Sequence, residues 1–309
     1  MKSFITRPLL AAGVLALASC GADTDLPPPL VGTTSSSYAP AHVAYEKALA
    51  ADQKGKVGKA IRRYRNMVDQ YPTAKDAPQA KFRQAQLHEQ KKDYVEAFDA
   101  YSDFLTRYQG SKLYTQALQR QSVIAEMALT EKVKSGFLFS SKVDTSKLID
   151  MLGKVRDAAP KAASASKAQF MIGEVYQQRG RANEAIEAYR KVVSDWQDSS
   201  EAPEAQYRVG LILIEQAERG NQDHGNLDRA REAFEDYLSI YPSGSRAGQA
   251  RDQITRLAQQ DLERSINIAD FYRRKGDHES ARFYYREVLK QVKSGPLHDK
   301  AQAGLKSLS

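Results

Sequence analysis

The stretch KAIRRYRNMVDQYP (residues 59–72) sets a small residue, Ala60, four positions before a ring, Tyr64, and closes on Tyr-Pro. The same order returns in EAFDAYSDFLTRYQ (96–109), EAIEAYRKVVSDWQ (184–197), RAREAFEDYLSIYP (229–242) and SARFYYREVLKQVK (280–293). The pairs there are Ala97 with Tyr101, Ala185 with Tyr189, Ala230 with Phe234, and Ala281 with Tyr285. Residues four apart share one helical face, so the small one admits a neighbouring helix while the ring fills the next space. Twelve positions before four of these alanines stands another small residue, namely Ala48, Ala85, Gly173 or Ala269, and Gly55, Gly180 and Gly276 supply turn signals in between. The repeating unit is a helix hairpin of roughly 34 to 40 residues.

A second register shows the same duplication. YPTAKDAPQAKFRQAQL (71–87) and WQDSSEAPEAQYRVGLI (196–212) align without a gap, matching Ala77-Pro78 with Ala202-Pro203, Phe82 with Tyr207, and Arg83 with Arg208. Proline at a helix start loses no useful hydrogen bond and presets φ. The interval between Ala97 and Ala185 leaves space for one degenerate hairpin, placed at 111–129 and 144–160, and a polar insertion, ERGNQDHGN (218–226), precedes the fourth pair. The pattern resembles the tetratricopeptide repeat. It implies an all-α, tetratricopeptide-like solenoid of about six helix hairpins over residues 41–309, each hairpin burying its apolar stripe only by stacking on its neighbours.

The chain before the repeats reads differently. Lys2 and Arg7 precede an apolar run, Pro8 to Ala18, well short of the roughly twenty residues that span a bilayer. A signal peptide over 1–19 is expected. Leu17-Ala18-Ser19-Cys20 resembles the bacterial lipobox, which implies cleavage before Cys20 and a covalent lipid on its sulfur; no other cysteine exists to pair with it. Stable anchoring requires more than one acyl chain, which a triacylated cysteine supplies. From Cys20 to Pro40 the chain is rich in Pro, Ser and Thr without apolar periodicity, and is expected to be a flexible tether spanning roughly 25 Å.

Composition narrows the partners. The formal charge of +8 falls to +6 once Lys2 and Arg7 leave with the leader, and both signs are interspersed. No dense cationic block stands out, so nucleic acid is not an expected partner, while an acidic protein face or anionic phospholipid headgroups remain open. The five histidines lack ligand spacing, a second cysteine for zinc is missing, and no glycine loop cradles phosphate. Neither an enzyme nor a metal or cofactor site is expected beyond the lipid on Cys20.

A lipobox, a polar tether and a tetratricopeptide body together resemble the BamD family of outer-membrane assembly lipoproteins. The resemblance is carried by RLAQQDLERSINIADFYRRKGDHESARFYYREVLKQV (256–292), by LDRAREAFEDYLSIYPSGSRAGQARDQITRLA (227–258) and by YEKALAADQKGKVGKAIRRYRNMVDQYP (45–72). It implies a non-catalytic scaffold of the complex that folds and inserts β-barrels, lipid-anchored at the periplasmic face of the outer membrane. Its implied partners are a barrel subunit with periplasmic domains, other assembly lipoproteins, and unfolded segments of outer-membrane proteins. Gly21 beside Cys20 fits outer-membrane sorting. The alternative is an envelope adaptor of the Tol-Pal, cell-division or peptidoglycan-associated kind.

Three groups of residues are candidates for contact. Tyr45, Phe82, Phe170 and Tyr207, with Ile266 in the last repeat, stand three positions before the small residue of each first helix; they are either packing or an aromatic ladder along a peptide groove. Phe137, Leu138 and Phe139 lie between polar residues, tucked inward or offered to a partner. Arg273, Arg274 and Lys275, with Arg282 and Arg286, form either a solvated helix end or a basic face for an acidic partner.

Overall fold

The computed structural model describes residues 39–135, 143–219 and 224–308, so the leader, Cys20, nearly all of the tether and the triplet Phe137 to Phe139 lie outside the described residues. Thirteen helices and no strand occur among the described residues. Six hairpins follow one another: α1 (Ala39–Gln53) with α2 (Val57–Gln70), α3 (Ala77–Gln90) with α4 (Tyr94–Arg107), α5 (Tyr114–Ser135) with α6 (Thr145–Ala158), α7 (Ala163–Gln178) with α8 (Ala182–Asp195), α9 (Ala202–Arg219) with α10 (His224–Ile240), and α11 (Ala247–Lys275) with α12 (His278–Gln291). A thirteenth helix, α13 (Pro296–Lys306), closes the array. Each helix packs on those adjacent in sequence, the contact pattern of a solenoid.

The small-and-ring pattern is the packing code. Tyr64, Tyr101, Tyr189, Phe234 and Tyr285 have no exposed surface, and neither have Ala48, Ala85 and Ala269. A Cβ built on Gly173 would lie 2.6 Å from Tyr189 Cε1, so that ring occupies the space a side chain would take. Gly210 holds the same relation to Phe234, again at 2.6 Å. The spacing of twelve conceals Gly210, because the 218–226 insertion lies between the two helices and the glycine stands twenty positions ahead of Ala230.

Turns and stops follow local chemistry. Gly55, Gly180 and Gly276 take positive φ as expected, and Lys92, at φ 59, bends the second hairpin in the same way at some steric cost. The aromatic residues that close second helices tie one repeat to the one before. Tyr108 donates its hydroxyl hydrogen to Pro72 O (3.1 Å), Trp196 Nε1–H to Pro160 O (2.6 Å), and Tyr241 to Gln197 O (3.0 Å).

Two features depart from the sequence reading. The α1 helix opens at Ala39, inside the range assigned to the tether. Segments 227–258 and 256–292, read as separate repeats, are joined by the unbroken α11, whose 29 residues run about 43 Å. Leu257 packs in the core shared with α8 to α10, whereas Leu262 and Ile266 pack with α12 and α13. No helix among the described residues is long and apolar enough to cross a membrane.

Replacing Gly173 or Gly210 by Ala forces a methyl against a seated ring, and overpacking of this kind costs about 1–3 kcal/mol. Gly58, on α2 with open space around its Cβ position, is the control and should tolerate Ala with a neutral or slightly higher melting temperature. Equal melting of all three variants would contradict the notch-and-ring account.

Candidate peptide-binding groove

The four ladder rings each sit on the anchor ring of their own hairpin. Tyr45 lies 5.9 Å from Tyr64, Phe82 5.6 Å from Tyr101, Phe170 5.3 Å from Tyr189, and Tyr207 5.4 Å from Phe234, between centroids. Edge-to-face and tilted contacts at this range add attraction beyond burial. Phe82 is 3% exposed, Tyr207 6% and Ile266 1%, whereas Tyr45 and Phe170 are half-buried. The ladder is therefore chiefly a lid over the anchors, and only part of it reaches the surface.

What lies over the lid is charged. The guanidinium of Arg208 sits 4.8 Å above the Phe170 ring, and that of Arg246 5.4 Å above Tyr207. Arg208 donates to Glu174 (3.0 Å), to Glu204 (3.1 Å) and to the Tyr189 hydroxyl oxygen (2.9 Å). Arg246 donates to Glu204 at 2.8 Å and to Gln249 at 2.8 Å. Glu204, Tyr207, Arg208, Arg246 and Gln249, with Gln177, Leu211, Asp252 and Gln253, line an open cleft of about 530 Å³ between α7, α9 and α11. The Gln253 Oε1 acceptor is buried there with no hydrogen-bond partner. Guanidinium groups stacked on aromatic faces, beside amide groups and a single Leu, suit a peptide backbone or an acidic side chain.

Burial opposes ionisation of Glu204, but hydrogen bonds from Arg246 and Arg208 outweigh it and hold the carboxyl below the ordinary Glu range. Burial likewise opposes the charge on Arg208, which Tyr189, Glu204 and Glu174 nevertheless raise above the usual Arg value. Burial pushes the Tyr189 phenol up to about 12, against the pull of Arg208, so the hydroxyl stays protonated at neutral pH.

The cleft belongs to a longer series. Successive first helices are joined by Arg83–Asp52 (2.6 Å), Arg120–Glu89, Lys167–Glu126 (2.8 Å), Arg208–Glu174 (3.0 Å) and Arg246–Glu204 (2.8 Å). Every junction from α1 to α11 carries one such pair. The aligned Arg83 and Arg208 hinted at this series, but their partners lie 31 and 34 positions away and cannot be found without the superhelix.

The C-terminal candidates sit on α11 and α12. Arg273 contacts Asp270 at 3.3 Å, Arg282 donates to the Leu308 carbonyl, and Arg274 and Arg286 are exposed. Between them lies an open ring cluster absent from the candidate set. Phe271 (48% exposed) meets Tyr272, which stacks on Tyr284 at 5.9 Å, and Phe283 (58% exposed) meets Tyr284 edge-on. Its signal was the Phe-Tyr dipeptide present in both helices. No cluster of three metal-ligating side chains occurs among the described residues.

Sequence models of the tetratricopeptide repeat match residues 45–112 and 170–245, and a second such model matches 262–291, together over half of the chain. The chain belongs to the tetratricopeptide-repeat superfamily. Among solved structures it is similar to MamA from Desulfovibrio magneticus RS-1 (16% identity, 68% of this chain and 99% of that one, TM-score 0.31). The apo form of RapI is similar at 13% identity over 87% of this chain and 99% of that one, with a TM-score of 0.34. YrrB, described as a repeat protein with an unusual peptide-binding site, is similar at 17% identity over 68% of this chain and 90% of that one, with a TM-score of 0.32. No curated protein matches the chain.

Glu204 has a folded pKa below its unfolded value, so its contribution is fully present above the unfolded pKa and is lost as pH falls through the folded one. Glu204→Gln should therefore lower the melting temperature at pH 7, and the gap to the parent protein should narrow as pH falls below the ordinary Glu range and through the depressed folded pKa. A gap independent of pH would show that the carboxylate's charge is not what stabilises the junction. Phe82→Ser should cost about 3–5 kcal/mol, the range for deleting a buried Phe, and be read as lost stability rather than lost binding.

Proposed function

We propose that this tetratricopeptide protein is a lipid-anchored scaffold of a β-barrel assembly and insertion complex at the periplasmic face of the outer membrane. The observation that carries the proposal is a lipobox-like Leu17-Ala18-Ser19-Cys20 on the same chain as a solenoid whose last hairpin presents Phe271 and Phe283 among Arg274, Lys275 and Arg286. Open rings, one of them under the Lys275 ammonium, at the end of a stack suit a stable protein interface, since anchors of this kind dominate binding energy. In this reading the α11–α12 end engages the periplasmic domains of a barrel subunit, and the cleft around Arg208 and Arg246 engages unfolded barrel segments. The lipid on Cys20 fixes both near the membrane.

Labelled palmitate should enter the mature protein and be lost on Cys20→Ser. Affinity purification from detergent-solubilised envelopes should recover a large β-barrel protein with periplasmic repeats, and Phe271→Ser/Phe283→Ser should reduce that recovery at least tenfold with the melting temperature little changed. Recovery of cell-division or peptidoglycan-associated proteins in its place would favour the envelope-adaptor alternative.

A further inference from the structure

The first hairpin carries a charge distribution unlike the rest of the molecule. Within residues 54–65 stand Lys54, Lys56, Lys59, Arg62, Arg63 and Arg65, with no acidic residue among them. Lys59, Arg62 and Arg65 share the exposed face of α2 with a single acid, Asp69, opposite the buried Ala60, Ile61, Tyr64, Met67 and Val68, while Lys54 and Lys56 are exposed in the preceding turn. Arg63 donates to Lys47 O at 2.7 Å; the other five have no acidic partner among the described residues. Other second helices differ. The α4 helix presents Glu96, Asp99 and Asp103, and α10 presents Asp228, Glu232, Glu235 and Asp236. The interspersed charge of the whole sequence conceals this local imbalance.

We infer that the α1–α2 turn and the outer face of α2 dock on an anionic phospholipid surface, orienting the solenoid at the membrane. Two further observations point to headgroups rather than to a protein. The face presents no ring or large apolar side chain, whereas interfaces between proteins depend on such anchors, and this chain places its open rings at the other end. Long Lys and Arg stems instead suit the diffuse negative potential of lipid headgroups. The face belongs to the hairpin that opens at Ala39, one length of α1 away from that residue, and Cys20 stands nineteen positions before Ala39. Such a length reaches roughly 60 Å when extended and roughly 25 Å on average, so an anchored Cys20 holds this hairpin within range of the bilayer. The inference takes the lipid-anchor reading as its setting and adds the second, electrostatic contact that fixes orientation.

The test uses the full chain carrying Cys20→Ser, so that no acyl chain contributes. Its binding is compared between phosphatidylcholine vesicles and phosphatidylcholine vesicles containing phosphatidylglycerol, at low and high salt. Preference for the anionic vesicles is expected, with loss at high salt. Lys59→Glu/Arg62→Glu/Arg65→Glu should weaken that binding by at least about 100-fold, with the melting temperature kept. The matched variant Lys293→Glu/Lys300→Glu/Lys306→Glu, at three exposed positions toward the other end of the array, should leave it within a few fold. Equal binding to both vesicle types overturns the inference. So does an equal loss in both triple variants, which would assign the attraction to the net charge of the chain. Loss of a captured acidic protein in the α2 variant, with vesicle binding intact, also overturns it. Acylation of Cys20 is scored separately with labelled palmitate, so a missing lipid would sink the anchor without touching the vesicle result.

Discussion

In five of the six hairpins a ring from the second helix packs on a small residue of the first, and the order of the solenoid depends on that fit; the third hairpin fills the place with Leu148 and Met151. At Gly173 and Gly210 the ring takes the position of the absent side chain. Where the ring is a tyrosine, its polar tip must also be satisfied inside the core. Tyr189 reaches Gln177 Oε1 at 2.9 Å, and Tyr285 reaches Asp270. Tyr64 and Tyr101 approach Asp52 and Glu89 more loosely, at 3.4 and 3.3 Å. Those same two carboxylates accept Arg83 and Arg120 from the next repeat. The packing inside a hairpin is thus coupled, through one acidic side chain, to the join between hairpins.

The pattern of residues four and twelve apart made the hairpins legible because it records contacts within one unit. Polar contacts leave a weaker trace, even inside one hairpin. Gln169 and Gln206 look like surface residues in sequence, yet both are buried and donate Nε2–H to the carbonyls of Ala188 and Ala233. Lys81 holds the equivalent position in the second hairpin and pairs with Asp103 at 2.5 Å. One steric slot accepts an amide or a cation, so identity is not preserved even where role is. The closing helix α13 escaped notice because it has no partner repeat with which to align. Its Gly304 nonetheless abuts Tyr285 as Gly173 abuts Tyr189.

The same distinction separates what was legible of the groove from what was not. Tyr45, Phe82, Phe170 and Tyr207 were found by register, and register alone cannot say which side of a ring faces water. Phe82 meets both Tyr101 and Phe104 and is spent on the interior. Tyr207 meets Phe234 and Tyr237 within its hairpin, while Arg246 covers its remaining face. The open character of the cleft comes from side chains that α7, α9 and α11 bring together around the rings. Glu204 is central there because it neutralises two arginines on different helices at once. A ligand carboxylate entering the cleft would compete for those arginines rather than meet free charge, so binding there exchanges one anion for another.

Exchange of this kind sets a limit on affinity that the two ends of the molecule do not share. Paired charges such as Arg208 with Glu174 and Glu204 give up an existing partner before they gain a new one. Lys59, Arg62 and Arg65 on α2 have no acidic partner among the described residues to surrender, and Phe271 and Phe283 on α11 and α12 are already half exposed to water. The net gain per contact is therefore larger at the ends than along the middle. On the proposed reading, a solenoid docked at its ends and exchanging partners along its cleft would stay assembled while successive extended segments enter and leave, as a scaffold for transient clients requires.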